Sequence, residues 1–376
     1  MKRALVAGAL GVIGRGLIAE IGRTPGWSAL ALSRRDASSE MDVESLPADL
    51  LDAESLAAKL AGHGDITHLF YVAYAARPTP AEEVEPNLHM LRNLVHALAK
   101  TAPSLRHVTL MQGTKAYGAH LGPYKTPARE TDPRIISPLF YFPQEDFLKE
   151  VAAGNGWRWS ILRPRCLWGF SHNSPMNMIT ALAVYGVLSK RLGLPLCFPG
   201  TPGGYGRIEQ AVDTSLLARV CLWAAEEPRC AGEIFNVGNG GLFRWEHMWP
   251  RIADLCGMSC GPVRTVKLTE AMADKAPLWD ALVDEHDLVR IGYRELVDWS
   301  FADFQWHMDY DHLSDTTKLI RYGFTEIVDD EEMFARLLGE LESARIIPPL
   351  LRGGAHRSSR TTQKPLERLD SGGEPS

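Results

Sequence analysis

Five short apolar runs punctuate the first half of the chain: RALVAG (3–8), WSALALS (27–33), THLFYVAY (67–74), RHVTLMQ (106–112) and RWSILRP (158–164). Between them lie IGRGLIAEIG, DAESLAAKLAG, NLHMLRNLVHALAK and QEDFLKEVAAG, whose apolar residues recur at the spacing of one helix face. Strands that alternate with amphipathic helices predict a parallel sheet wrapped on both faces. Right-handed crossovers then give a doubly wound α/β sheet of the Rossmann type.

After Pro164 the rhythm changes. Residues 165–212 are rich in Gly, Pro, Met and aromatics. Beyond them the pattern predicts a helix over 212–225, a strand GEIFNVG at 232–238, and helices around 245–256 and 278–284. Residues 1–165 therefore read as a nucleotide-binding domain. Residues 166–351 read as a smaller, mainly substrate-binding region with some elements returning to the sheet. From Arg352 the run RGGAHRSSRTTQKPLERLDSGGEPS carries no core pattern, and residues 352–376 are expected to be a disordered tail. No internal repeat is visible.

Composition narrows the function classes. A chain of 376 residues, 45% hydrophobic and 23% charged, can bury a large core and is expected to be soluble. A net charge of -6 argues against nucleic acid or an anionic membrane as the main partner. The run MITALAVYGVL (178–188) is too short to span a bilayer. Cys256 and Cys260 are close together but no second pair at zinc-ligand spacing accompanies them. Free thiols in a reducing cytoplasm, and no metal, are expected.

The first candidate site is AGALGVIGRG, with Gly8, Gly11 and Gly14 at a strand-to-helix junction. The first glycine permits the tight turn, the second lets backbone approach a pyrophosphate, and the third allows close helix–strand packing. Position after the first strand and before a helix is the context this motif demands. At the end of the second strand, where a carboxylate would grip the ribose of NAD, the chain reads Ser33, Arg34, Arg35, Asp36. Two guanidinium groups suit a ribose 2′-phosphate, so NADP(H) is the expected cofactor; a solvated basic turn with Asp36 serving NAD is the alternative. Asp49 falls where a polar side chain meets the adenine edge, and can equally be a helix N-cap.

The second is SPLFYFPQEDF (137–147), in which Tyr141 stands between two phenylalanines. An acidic phenol needs a neighbouring cation, and Glu145 and Asp146 are expected to push its pKa up instead. Most short-chain dehydrogenases place a lysine four residues after the tyrosine; here that position is Glu145. Lys115, in LMQGTKAYG, lies just past the carboxyl edge of a strand, the edge that faces a bound cofactor in this fold.

The motifs GALGVIG, SRR, THLFYVAYA, QGTKAYG, FYFPQED, RPRCLWGFS, EIFNVGNGGLFRWEHMW and LIRYGF, in this order, resemble the progesterone 5β-reductase/iridoid synthase-like group of the extended short-chain dehydrogenases. The resemblance covers approximately residues 1–350. It implies Lys115 and Tyr141 as the catalytic pair, and Arg34 and Arg35 at the adenosine phosphate. It also implies dinucleotide contacts from Leu10, Gly11, Val12, Asp49, Leu50, Ala73 and Leu167. Plant members often carry a second tyrosine where this chain has Phe142, and an asparagine where it has Cys166; the Lys115–Tyr141 connection is shorter here.

The implied activity is NADPH-dependent reduction of activated alkenes, with a small apolar enone, ketone or aldehyde as substrate. The same residues would serve a carbonyl reductase or alcohol dehydrogenase, and a non-catalytic NADP sensor or scaffold is a third reading. A nucleotide-sugar epimerase is disfavoured by Glu145. A homodimer is compatible with all of these. Trp168, Phe170, Met176 and Met178 are either pocket lining or plain core, with core favoured. Asp213, Asn236, His247 and His312 read as structural.

Overall fold

The computed structural model describes residues 1–351, apart from 172, 173 and 175; the tail expected from Arg352 onward lies outside the described residues. The first half runs β1 (Lys2–Ala7), α1 (Val12–Arg23), β2 (Trp27–Ser33), β3 (Glu44–Pro47), α2 (Ala53–Leu60), β4 (His68–Tyr71), α3 (Pro80–Thr101), β5 (His107–Met111), α4 (Tyr141–Ala153) and β6 (Arg158–Pro164). The second half continues with β7 (Cys166–Trp168), α5 (Met178–Arg191), a short α6 (Pro202–Gly206), β8 (Ile208–Glu209), β9 (Ala211–Asp213), α7 (Thr214–Glu226) and β10 (Glu233–Val237).

Seven strands form one parallel sheet in the order β10-β6-β5-β4-β1-β2-β3. The central strands are buried on both faces, which is why they read as nearly continuous apolar runs. β3 is the exception. It is a four-residue edge strand, ESLP, and its exposed Glu44 and Pro47 blunt the edge but erase the apolar signal. β4 is shorter than the run THLFYVAY. After Tyr71 the chain leaves the ladder, and Val72 and Ala73 lie against the turn that follows β1.

Strand order reverses between β1 and β4, and the crevice beyond their carboxyl ends is where such sheets bind ligands. Apolar side chains cover both sheet faces. A third core lies in the second half, around Trp168, Trp245, Trp249, Trp279 and Trp306. α5 is buried almost all round within it, so the run MITALAVYGVL is a core helix. Trp168 and Met178 are core residues here, Phe170 packs against the same cluster, and Met176 is exposed.

Candidate active site

The turn from β1 into α1 is shaped by backbone crowding. Gly8 has φ +92, a conformation open mainly to glycine, and a Cβ there would fall 2.8 Å from the Ala73 nitrogen. At Gly14 a Cβ would meet the Gly8 carbonyl oxygen at 2.4 Å and the Ala9 Cα at 2.7 Å. Gly11 is exposed, and a Cβ there would meet only the Gly8 oxygen, at 3.4 Å. Gly11 is also the N-cap of α1 and makes no side-chain cap bond, so the amides of the first turn, from Val12 on, face the crevice. Leu10 and Leu167 pack on the same side of the sheet as Val72. The glycine motif and Ala73 thus meet at the switch point. This cradle fits a pyrophosphate.

The adenosine end is more open. Arg34 and Arg35 are exposed, and Arg35 reaches Glu40 at 3.6 Å. Glu40 is also held by the buried Arg15. The Asp36 carboxylate accepts from the amide and hydroxyl of Ser38, bonds that lower its pKa. It is engaged in its own turn. Asp49 accepts from the Leu51 amide at 2.9 Å, and the N-cap of α2 is Asp52, which corrects the N-cap alternative for Asp49. Leu50 turns its side chain into the core.

Tyr141 opens α4 because Pro143 is tolerated in a first helical turn and the chain before it is irregular. The Gln112 amide donates to the Tyr141 carbonyl at 3.0 Å, fixing this helix start to the end of β5. The phenol oxygen lies 3.3 Å from where a Cβ on Gly113 would stand, so the absence of a side chain there leaves room beside it. Burial pushes the phenol pKa well above its usual value; Glu83 raises it further, against a smaller opposing pull from Arg163.

Glu145 and Asp146 do not act on Tyr141 as expected, because cations hold them elsewhere. Glu145 is buried and meets Arg163 at 3.0 Å, Arg134 at 3.0 Å and Lys149 at 2.6 Å. Asp146 pairs with Arg134 at 2.7 Å. The carboxylate that does act on the phenol, Glu83, sits in the first turn of α3 and accepts from the Tyr74 hydroxyl. The Tyr74 ring stacks on Phe140 at 5.7 Å, and Phe140 meets Tyr141 edge-on at 4.8 Å. Sequence reasoning missed Glu83 and Tyr74. Glu83 follows Thr79 and Glu82 in a capping box, where an acidic residue is expected for helix reasons alone.

Lys115 lies in a single 3-10 turn, Thr114–Tyr117, directly after β5. It is half-buried, and among the described residues its side chain has no hydrogen bond or ion pair. Its charge is felt by His120, whose pKa is lowered by burial first and by Lys115 second. The turn is anchored from far away. Thr114 Oγ1 and His312 Nε2 are 3.1 Å apart, and His312 is buried and held neutral by burial and by Arg165 and Arg207. Those arginines sandwich Glu209 at 2.5 Å each, all three buried. The structural readings of Asp213 and Asn236 agree with what is seen. Asp213 caps α7 and meets Arg336; Asn236 accepts from the Tyr117 hydroxyl at 2.6 Å. The Cys166 thiol, beside the arginines, is pushed up to about 11 by burial, so it is a poor nucleophile. Among the described residues no cluster of His, Cys, Asp and Glu could hold a metal ion, and no helix is long and apolar enough to cross a membrane.

A family model described as a PRISE-like Rossmann-fold domain matches residues 31–348. The chain belongs to that family. PRISE-like relatives include the (S)-8-oxocitronellyl enol synthase of Nepeta cataria, 33% identical with 92% of this chain and 93% of that protein covered. The 3-oxo-Delta(4,5)-steroid 5-beta-reductase of Arabidopsis thaliana is 32% identical over the same shares. Among solved structures, the UDP-glucose 4-epimerase of Thermotoga maritima superposes with a TM-score of 0.65 at 17% identity, covering 91% of this chain and 99% of that one. The UDP-glucose 4-epimerase of Thermus thermophilus, in complex with NAD, gives 0.64 at 20% identity, with the same coverage. The protein is an oxidoreductase with a Rossmann fold.

Proposed function

We propose that this protein is an NADPH-dependent reductase of activated alkenes, acting on α,β-unsaturated ketones or aldehydes. The observation that carries the reading is the Tyr141 phenol at the start of α4, beside the space that Gly113 leaves open, in a chain of the PRISE-like family. With its pKa raised by burial, that phenol can still donate a hydrogen bond but gives up its proton reluctantly. Reduction at the β-carbon of an enone asks for a donor of this kind, because the charge that develops on the carbonyl oxygen is delocalised as an enolate. Reduction of an isolated carbonyl asks for a full proton instead. The names of the relatives, an enol synthase and a 3-oxo-Δ(4,5)-steroid 5β-reductase, support the first case.

When bound, the reduced nicotinamide supplies hydride to the substrate β-carbon. Every other task falls to the protein. Gly8, Gly11 and Gly14 with the first turn of α1 would cradle the pyrophosphate, and Leu10, Val12, Asp49, Leu50, Ala73 and Leu167 would line the rest of the dinucleotide. Arg34 and Arg35 would take the 2′-phosphate, since Asp36 is committed to Ser38. Lys115 would hold the nicotinamide ribose and bring positive charge to the site. Tyr141 would donate to the carbonyl oxygen through the space that Gly113 leaves open. The enolate α-carbon would then take a proton from solvent.

The test is to follow NADPH oxidation against a panel of enones, enals, aldehydes and nucleotide sugars, with products identified by mass. Saturated ketones should outweigh allylic alcohols; mainly allylic alcohol across several enones would make the protein a carbonyl reductase.

A further inference from the structure

Glu83, like Asp330, differs from the other buried carboxylates of this protein. Glu145, Glu209 and Asp213 each meet an arginine. Glu83 is 8% exposed and makes no ion pair among the described residues. The side-chain partner it has is the Tyr74 hydroxyl, which donates to Oε1. An unpaired buried carboxylate is costly and keeps a strong demand for hydrogen-bond donors. The N-terminal end of α3 offsets part of that cost with partial charge, but supplies no cation.

The pair also stands in a telling place. Tyr74 follows β4, at the carboxyl edge of the sheet, and is 42% exposed. Its ring stacks on Phe140, whose edge abuts Tyr141. The Tyr74 hydroxyl and the Glu83 carboxylate therefore form a polar patch in the wall beside the proposed oxyanion donor. That wall is otherwise aromatic.

We propose that Tyr74 and Glu83 form a specificity subsite in the wall beside Tyr141, selecting enones that carry a hydroxyl group in addition to the carbonyl. This rests on the reductase reading above. A hydroxyl can donate to Glu83 and accept from Tyr74 in turn, satisfying both. A methyl group in the same place leaves the pair unanswered. A carboxylate meets a like charge in a poorly solvated wall and is excluded.

The experiment uses three enones of equal length ending in methyl, hydroxymethyl or carboxylate. Binding to the NADP⁺-saturated protein is measured by calorimetry, and turnover separately by NADPH oxidation. The hydroxymethyl compound should bind about tenfold more tightly than the methyl compound, as one hydrogen bond to a charged group allows. The carboxylate should bind most weakly. In Glu83→Gln the hydroxymethyl advantage should fall to within about twofold and the carboxylate penalty should shrink. Tyr74→Phe keeps the ring on Phe140 and should also reduce the advantage; it carries the test alone if Glu83→Gln does not fold. A binding order blind to the terminal group, or unchanged in the variants, overturns the subsite. No turnover of any compound, with the binding order intact, overturns the reductase reading and leaves the subsite standing.

Discussion

Arg163 on β6 and Glu145 on α4 meet at 3.0 Å with side chains each only 5% exposed. Glu145 stands where the more usual members of the superfamily carry their lysine, one turn after the tyrosine. Here that position faces an arginine already in place, so a lysine would bury two like charges together. Glu145→Lys should therefore lose stability without gaining activity. The expected loss is about 3–5 kcal/mol, the cost of breaking a buried pair by changing one partner. Denaturant unfolding monitored by circular dichroism measures it, and a variant as stable as the parent would refute the role given to the pair.

If Tyr141 donates to the carbonyl and Lys115 holds the ribose, as proposed, their variants should differ. Tyr141→Phe keeps the ring against Phe140 and loses only the hydroxyl. NADPH affinity should persist while kcat falls roughly 100-fold or more. Lys115→Ala should weaken NADPH binding as well as rate. Fluorescence titration with NADPH, beside steady-state kinetics, separates the two. A Lys115→Ala protein unchanged in both would remove the lysine from the site.

The proposed preference for NADPH rests on the exposed arginines after β2. Replacing Arg34 and Arg35 together by Ala should weaken NADPH binding by about 1–3 kcal/mol and leave NADH binding nearly unchanged. Equal affinity of the parent protein for both cofactors would defeat this reading.

Asp330 provides a pH test away from the active site. It is buried at the start of helix Asp330–Ser343, where the Asn239 amide donates to it at 2.8 Å. Burial pushes its pKa up to about 6. The folded protein then holds this proton more firmly than the unfolded chain does, so stability falls as pH rises from about 4 through about 6. The full penalty, on the order of 3 kcal/mol, is present at neutral pH. Asp330→Asn should raise the melting temperature at pH 8 and leave it nearly unchanged at pH 4. His68 and His107, lowered by burial to about 4 and about 3, lose stability toward acid in both proteins and cancel in the comparison. A gain of equal size at both pH values would refute the assignment.

Features that depend on neighbours in sequence were legible. The doubly buried strands, the glycine turn at Gly8 and the tyrosine at the start of α4 each carry a local pattern. β3 did not, because an edge strand of four residues lacks alternation and ends on Pro47. Partners that meet only in the fold were equally hidden. Glu145 reads as a repulsive neighbour of Tyr141 until Arg163 is brought beside it from β6. His312 reads as isolated because Thr114 lies 198 residues away. Glu83 looks like a helix-capping residue, and only the turn of chain after β4 places Tyr74 upon it.

The position of β10 bears on how the protein is made. β6 ends at Pro164, yet the strand that covers its outer edge begins only at Glu233. During synthesis the edge of β6 must wait roughly seventy residues for its cover, roughly 4–14 s at ordinary elongation rates. Throughout that interval a row of free amides and carbonyls is open to pairing with a neighbouring nascent chain. Cells expressing the protein from closely spaced ribosomes should therefore depend on chaperones that bind early, and a chain cut after β6 should aggregate rather than fold.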